Sequence, residues 1–180
     1  MFQWLFSALE RRGRKHIITD REGKNPYLVR YYVAFPDSVA RERKDIPFNV
    51  FLHQFIQSDD PVWHDHPWNW FISIVVSGGY VEHTPWGDKK RGRFNMRFVN
   101  CNKLRHIDDD PTKPMIPANI HWVEIAESGK TWTLFVRGRT NKDWGFFPNM
   151  KTGDKIPWRE YLEDKVNNND NTSKGSEKLG

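Results

Sequence analysis

The segment "PVWHDHPWNWFISIVVSGGYVEHTPWG", residues 61–87, decides how this sequence is interpreted. It places His64 and His66 among tryptophans, with one residue between them, directly before an apolar run. On a strand, residues two apart point to the same face, so both imidazoles share one face and Asp65 takes the other. Two imidazoles on one face can converge on a metal ion, or they can simply pack in a core. A third ligand elsewhere in the chain would favour the metal site.

The sequence around this segment has the pattern of short β-strands. "FISIVV" (71–76) is a continuous apolar run, as in a buried strand, and Ser77-Gly78-Gly79 predicts a turn into the next strand. Glycine and proline separate further segments in which apolar and polar residues alternate. These strands are predicted at residues 27–35, 48–57, 80–84, 94–99, 119–126 and 131–138. Many short strands with turn signals between them predict a mainly β protein, an antiparallel sandwich or barrel.

The length of 180 residues predicts one domain with appendages. Residues 1–20 are expected to form an amphipathic helix and a lead-in, and residues 21–165 the β-barrel with a closing helix near 157–164. Residues 166–180 lack an apolar core and predict a disordered tail. The apolar stripe of the first helix covers about three turns, which favours packing on the domain over anchoring at a membrane surface.

Composition excludes several classes of protein. A single cysteine, Cys101, rules out an intramolecular disulfide framework and favours a reducing compartment. No apolar run reaches the roughly 20 residues of a membrane span, and the start has its charge after the apolar part, so a cytoplasmic location is expected. The net charge of +5 is spread along the chain, and its basic segment 88–93 is expected at a solvated hairpin tip. Nucleic acid is therefore not the expected partner, and a homodimer is left open.

The best candidate for a third ligand is His121. It follows the turn-like "IPAN" and opens a predicted strand, so a proline-containing turn can aim it at the histidine pair. His106, in "KLRHIDDD", is the competitor, although it lies beside carboxylates. His53 alternates with Phe51 and Phe55 on one strand face, where it would wall the pocket or support a ligand.

These histidines resemble the ligands of the cupin superfamily. The segment resembles the first cupin motif, Gly-x5-His-x-His-x3,4-Glu-x6-Gly, with "HDH" for the two histidines and Gly78 for the closing glycine. "PANIH" (117–121) resembles the second motif, Pro-x-Gly-x2-His, with Asn119 where glycine is expected and one residue instead of two before His121. The resemblance covers about residues 48–138. It implies a double-stranded β-helix, a jelly-roll barrel with the metal in its mouth.

The sequence departs from the cupin pattern at two positions. The opening glycine of the first motif is absent, and the glutamate of that motif would fall at Trp70 or Phe71. Three histidines without the glutamate are similar to the ligands of cysteine dioxygenase-like cupins. Those enzymes carry a Ser-His-Tyr relay on a late strand, which is absent from "TWTLFVRG" (131–138). A closer likeness, to about residue 162, is to uncharacterised cupin-like proteins of bacteria and phages, and it implies no particular reaction.

Three neutral imidazoles would leave a divalent ion with its full charge and with open coordination positions. Such a site suits a small anionic substrate, for example an enolate, carboxylate, thiolate or phosphate. Fe(II) is the favoured ion, because substrate and dioxygen could share its open face. Zinc, manganese or nickel would suit Lewis-acid chemistry instead.

Charged and aromatic residues complete the predicted site. Glu82 follows the glycine turn and is a candidate fourth ligand, imidazole partner or general base. Arg137 shares a strand face with Thr133 and Phe135 and could pair with a substrate carboxylate or phosphate, as could Arg97. The predicted set is therefore His64, His66 and His121 for the metal, Glu82 and Arg137 for catalysis, and His53, Trp70, Arg97 and Trp122 for the substrate pocket.

The leading hypothesis from the sequence is a metal-dependent, oxygenase-type enzyme. The alternative is a non-catalytic cupin that binds a sugar or nucleotide among its aromatics and arginines. A third hypothesis is that the chain is an accessory interaction protein of a phage or bacterium, which acts through the first helix, the basic loops and the tail. Metal content separates the first hypothesis from the other two.

Overall fold

The computed structural model describes residues 3–20, 22–36, 38–39 and 46–163, and these are mainly β. The predicted tail 166–180 lies outside the described residues, and the predicted closing helix is helical over 158–163. The elements are α1 Gln3–Arg11, β1 Lys15–Thr19, β2 Pro26–Tyr32, β3 Asn49–Phe55, β4 Trp63–His64, β5 Trp70–Ser77, β6 Gly79–His83, β7 Lys89–Gly92, β8 Met96–Asn100, β9 Leu104–His106, a 3-10 turn Ile107–Asp109, β10 Met115–Pro117, β11 Trp122–Ile125, β12 Thr131–Arg137, β13 Gly145–Asn149 and β14 Asp154–Pro157.

The larger sheet has the strand order β1-β2-β3-β12-β5-β8, and all its neighbours are antiparallel. Its centre, β12, buries every second residue, because alternate side chains point into the barrel. One aromatic core lies on this inward face. It consists of Tyr32, Phe51, Phe71, Val99, Cys101 and Phe135. Its rings pack between neighbouring strands, for example Phe71 on Phe135 with centroids 5.0 Å apart.

A second sheet closes the barrel, and a backbone bridge between His64 and His121 joins its two halves. The strands β14-β13-β4 and β11-β6-β7 form two three-stranded groups. They meet at a backbone bridge in which the amides of His64 and His121 each donate to the other residue's carbonyl at 3.1 Å. The sheets thus contain the runs β3-β12-β5-β8 and β4-β11-β6-β7, which is the strand order of a jelly roll. The predicted fold class, a cupin-type jelly-roll barrel, is confirmed.

The N-terminal helix lies against the outer face of the larger sheet. Leu9 is buried with Val29 and Tyr31, and the ring of Phe6 lies 4.9 Å from that of Trp132. After the helix, β1 pairs with β2 and so extends the same sheet. No described helix has the length and apolar character required to cross a membrane. The domain boundaries at residues 20 and 165 and the cytoplasmic location stay predictions.

The turn between β5 and β6 requires glycine. Gly78 has φ +66, and a Cβ there would lie 2.7 Å from the backbone oxygen of Lys130. After this turn β6 runs beside β11, and Glu82 of β6 pairs with Val123 of β11. The basic segment expected at a hairpin tip is instead the strand β7, which pairs with β6.

Candidate metal centre

Three histidine side chains meet in the mouth of the barrel. One ligand nitrogen from each of His64, His66 and His121 lies within 4.8 Å of the others, and no other group of this kind occurs among the described residues. The Nε2 atoms of His66 and His121 are 2.8 Å apart. The backbone bridge between His64 and His121 explains the convergence, because it fixes two of the three residues side by side.

Asp65 points away from the other two residues of "HDH", as expected for a strand. Its side chain is fully buried, and Oδ1 accepts a hydrogen bond from the amide of Gly145 at 2.8 Å. Its own amide donates to the carbonyl of Gly145 at 3.1 Å, and Nζ of Lys142 lies 3.2 Å from Oδ2. Asp65 thus ties the histidine pair to β13.

Glu82 supports His121 from behind. The carboxylate is fully buried, and Oε1 lies 2.9 Å from Nδ1 of His121. Arg91 donates twice to Oε2, at 3.0 and 2.7 Å, and Arg97 forms an ion pair with Oε1. Because the carboxylate accepts, Nδ1 of His121 carries the proton and its Nε2 presents a lone pair to the cluster. A carboxylate on the far nitrogen is the usual partner of a metal-ligating histidine.

Burial and neighbouring charged groups favour the neutral form of His66 and His121. Burial holds the pKa of His66 well below its ordinary value, and the neighbouring His121 and His64 lower it further. Burial also lowers the pKa of His121 strongly, with His64 and Arg97 adding to the effect. Metal ligation requires neutral imidazole, so these two rings are already in the ligating form at neutral pH.

The donor set fits a divalent ion. Nitrogens about 2.1 Å from one ion and at right angles to each other are about 3.0 Å apart. The 2.8 Å separation of the Nε2 atoms of His66 and His121 is close to this spacing. The ring of His66 is held by stacking on Trp68, with centroids 5.2 Å apart, and by edge contact with Phe71 at 5.1 Å. The site therefore has the ligand chemistry for a metal and little freedom to rearrange.

A cavity of about 380 Å³ opens from the cluster into the barrel. Its walls combine aromatic rings with a few polar groups. The aromatic lining residues are Tyr27, Phe55, Trp68, Phe71, Tyr80, Phe135 and Trp144, and the polar ones other than the cluster are Arg30, His53, Asp59, Ser73, Arg97 and Thr133. An apolar enclosure with few polar groups is typical of small-molecule sites.

The structure brings some predicted pocket residues to this cavity and not others. His53 and Arg97 line it. Trp70 precedes the inward-facing Phe71 on β5, so it takes the outer face, where it packs on Phe98. Trp122 likewise lies on the outer side of β11, with its ring 3.6 Å from that of His83. Because side chains alternate along a strand, the neighbouring residues Phe71 and Val123 line the cavity instead.

Arg137 and His106 lie away from the cluster. Arg137 is buried on the inward face of β12, but it lies at the far end of the strand, and NH1 donates to the carbonyl of Gly138 at 3.0 Å. It is not among the residues that line the cavity. His106 belongs to β9, and its Nδ1 lies 2.8 Å from the carbonyl oxygen of Lys113. Of the two competing third ligands, the structure brings His121 to the pair.

Arg30, which lines the cavity from β2, was not among the residues predicted from the sequence. A signal was present, because Arg30 alternates with Leu28 and Tyr32 in the predicted strand 27–35, and an arginine at an inward position of a barrel strand calls for explanation. Arg91 was not among them either, and its contact with Glu82 depends on the pairing of β6 with β7.

Comparison with known proteins gives structural likenesses only. No family model and no curated protein matches the chain. A Klebsiella pneumoniae protein with a double-stranded β-helix domain is 13% identical, with 68% of this chain and 86% of that chain covered and a TM-score of 0.44. KdgF from Halomonas is 12% identical (64% and 83% covered, TM-score 0.41), and the Streptomyces nucleoside dehydratase Pac13 is 9% identical (79% and 92% covered, TM-score 0.46). These likenesses concern the barrel fold alone.

Proposed function

We propose that this protein is a metal-dependent enzyme of cupin fold that performs oxygenase-type chemistry on a small anionic substrate. The observation that supports the proposal is the convergence of His64, His66 and His121, with Glu82 holding His121 in the ligating tautomer. Buried, mutually close imidazoles with lowered pKa values are expected where they bind a metal or take part in chemistry.

Fe(II) is the ion we propose, and zinc, manganese and nickel are the alternatives. Imidazole ligands suit iron, zinc and nickel, whereas manganese prefers oxygen ligands. With three protein ligands, the ion would keep open positions at which it could bind an anion and dioxygen together, or polarise a bound carbonyl.

The chain's own residues would orient the substrate and exclude water. Glu82 is not available as a fourth ligand, because both its oxygens are bonded to arginines and to His121. We therefore assign it a positioning role. Arg97 lies 3.3 Å from Nδ1 of His121 and lines the cavity, so its positive charge favours an anion beside the cluster. Trp68 and Phe71 would keep solvent from the side of His66.

Metal content of the purified protein tests this proposal. After chelation and anaerobic reconstitution with Fe(II), elemental analysis is expected to find about one ion per chain in the wild type. His64→Ala, His66→Ala and His121→Ala are each expected to lose it, and His106→Ala, outside the cluster, to retain it. Nitric oxide, as a stand-in for dioxygen, should give an electron paramagnetic resonance signal with the Fe(II)-loaded protein. Full metal content in the His64→Ala/His66→Ala double variant would contradict the proposal.

One observation favours a second candidate, a ligand-binding protein without an ion. The 2.8 Å contact between His66 and His121 satisfies both nitrogens by a direct hydrogen bond. In that case the wild type would retain no metal, and binding of the natural ligand would be unchanged by chelator.

A further inference from the structure

A row of polar side chains crosses the larger sheet inside the barrel. Arg30 on β2 lies opposite His53 on β3, and His53 lies opposite Thr133 on β12. Directly opposite residues on antiparallel strands have their side chains on one face, a few ångströms apart. All three residues line the cavity into which the histidine cluster opens. An apolar barrel interior thus contains a continuous polar strip.

Thr133 is the first sign that this strip binds a ligand. Its side chain is 1% exposed, and Oγ1 has no hydrogen-bond partner among the described residues. A buried hydroxyl left without a partner destabilises the folded state. Valine has nearly the same shape and would avoid this destabilisation. Thr133 lines the cavity, so a bound molecule there is the candidate for the missing partner.

Arg30 and His53 are fixed relative to each other. Nε of Arg30 donates to Nε2 of His53 at 2.9 Å. Because an arginine always donates, Nε2 of His53 is an acceptor, and the proton of the neutral ring is on Nδ1. The guanidinium group is further held over the ring of Phe51, 4.8 Å from its centroid. The arginine is therefore oriented before any ligand arrives, which lowers the entropy cost of binding.

The charge of Arg30 is not balanced by the described residues. No described carboxylate forms a salt bridge with it, and Asp59, which also lines the cavity, instead accepts hydrogen bonds from Tyr27 and from the amide of Val123. A second buried guanidinium, that of Arg137, is near: burial is the main cause that lowers the pKa of Arg137, and the charge of Arg30 lowers it further. Arg97, by contrast, is paired with Glu82. Arg30 is therefore the arginine of the cavity lining that has no carboxylate partner among the described residues.

We propose that Arg30, His53 and Thr133 form the subsite for a carboxylate group of the substrate. This inference rests on the proposed function in one respect, that the substrate occupies the same cavity as the cluster. The planar guanidinium matches the two oxygens of a carboxylate, and Thr133 Oγ1 adds a donor. Arg137 does not line the cavity, so Arg30 alone of these two arginines can contact the ligand, and one arginine suits a monoanion better than a phosphate ester with two charges. The aromatic lining would hold the apolar remainder of the substrate.

The test measures carboxylate binding in metal-free protein, so that a metal ion cannot hold the probe. Benzoate and butyrate are titrated by calorimetry or ligand-observed NMR, each against its neutral amide, in chelator-treated protein. The wild type is expected to prefer each acid by about 10-fold or more, the strength of a charge-assisted bidentate contact. Arg30→Gln should abolish this preference. Arg139→Gln, an exposed arginine just beyond the same strand β12, should preserve it.

Thr133→Val separates a binding role from a structural one. The substitution removes only the unpartnered hydroxyl, so the melting temperature should stay the same or rise. Affinity for the acids should fall by about 10-fold or more, the value of one hydrogen bond to a charged group. If Arg30→Gln does not fold, this variant still decides the question.

Three results would overturn the subsite. They are equal binding of acids and amides by the wild type, unchanged acid preference in both Arg30→Gln and Thr133→Val, and tighter binding of inorganic phosphate than of either acid. Because chelated protein is used, these results are independent of metal content. A protein that binds no metal but prefers the acids refutes the proposed function and supports the subsite. A protein that binds metal without acid preference does the reverse.

Discussion

The carboxylate of Glu82 lies 2.9 Å from Nδ1 of His121, on the side of the ring opposite the histidine cluster. Glu82→Gln keeps the shape but removes the charge that holds the proton on Nδ1 and balances Arg91 and Arg97. Metal affinity is expected to fall by about 10- to 100-fold, the usual effect of losing such a partner. Competition with a chromophoric chelator measures it. Glu124→Gln, on the exposed face of the adjacent strand β11, is the matched control and should bind metal as the wild type does.

Asp65 links the histidine pair to β13 through the amide of Gly145. Asp65→Asn retains the acceptor oxygen but loses the charge that faces Lys142, and the free energy of unfolding is expected to fall by about 2 kcal/mol. Urea denaturation of the metal-free protein measures the change. Asp143→Asn, at an exposed residue next to Lys142, should shift the midpoint little. Equal effects of the two substitutions would mean that the buried carboxylate has no special role.

The turn at Gly78 has two separable requirements, a left-handed backbone and empty space. Gly13 has nearly the same φ, +65 against +66, but nothing lies within 4 Å of a Cβ built there. Gly13→Ala should therefore cost about 1 kcal/mol for the backbone conformation alone. Gly78→Ala adds a clash with the backbone of Lys130 and should cost about 3 kcal/mol. Denaturation curves of both variants give the difference, and equal losses would show that the turn relaxes.

Stability of the metal-free protein should decrease on acidification. Burial is the main cause that holds the pKa values of His53, His66 and His121 well below the ordinary value of about 6.5. Below pH 6.5 the unfolded chain takes up protons at these positions while the folded chain does not, so protons favour unfolding. At pH 5.5 each of these histidines should lower the free energy of unfolding by about 1 kcal/mol relative to neutral pH, or by about 3 kcal/mol together.

Chemical denaturation at pH 7.5 and pH 5.5, with chelator present, measures this dependence. His53→Gln should remove about a third of it, because one of three titrating groups is lost. His106→Gln, outside the cavity, is expected to leave it intact. A stability that does not change between the two pH values would contradict the burial of these rings as neutral groups.

Much of the barrel was predictable because its signals are local. The apolar run 71–76, the glycine turn after it and the alternation around 131–138 each specify a strand without knowledge of its partners. The approach of His121 to His64 and His66 was anticipated in the same way, from a turn placed before a strand. Strands β13 and β14 were missed, since 145–149 has a proline and 154–157 has a proline and two charged residues.

The rest of the site depends on which strands become neighbours, and a single sequence does not state this. Trp70 and Trp122 were expected in the pocket, but one residue of alternation moves each to the outer face. The side chain of Arg137 points inward as expected, but the residue lies too far along β12 to reach the cavity. Arg30 gains its meaning only from the pairing of β2 with β3, and Arg91 only from that of β6 with β7.

The backbone hydrogen bonds between His64 and His121 join the two halves of the second sheet, and they also place two of the three histidines of the cluster side by side. An ion at this point would therefore act on folding as well as on chemistry, because opening the sheet there separates two of its ligands. At a free metal concentration about 1,000 times the dissociation constant, the linkage adds about 4 kcal/mol to the free energy of unfolding. The amount of intact barrel in a cell would then rise and fall with the supply of the metal, so that scarcity removes the protein as well as its cofactor.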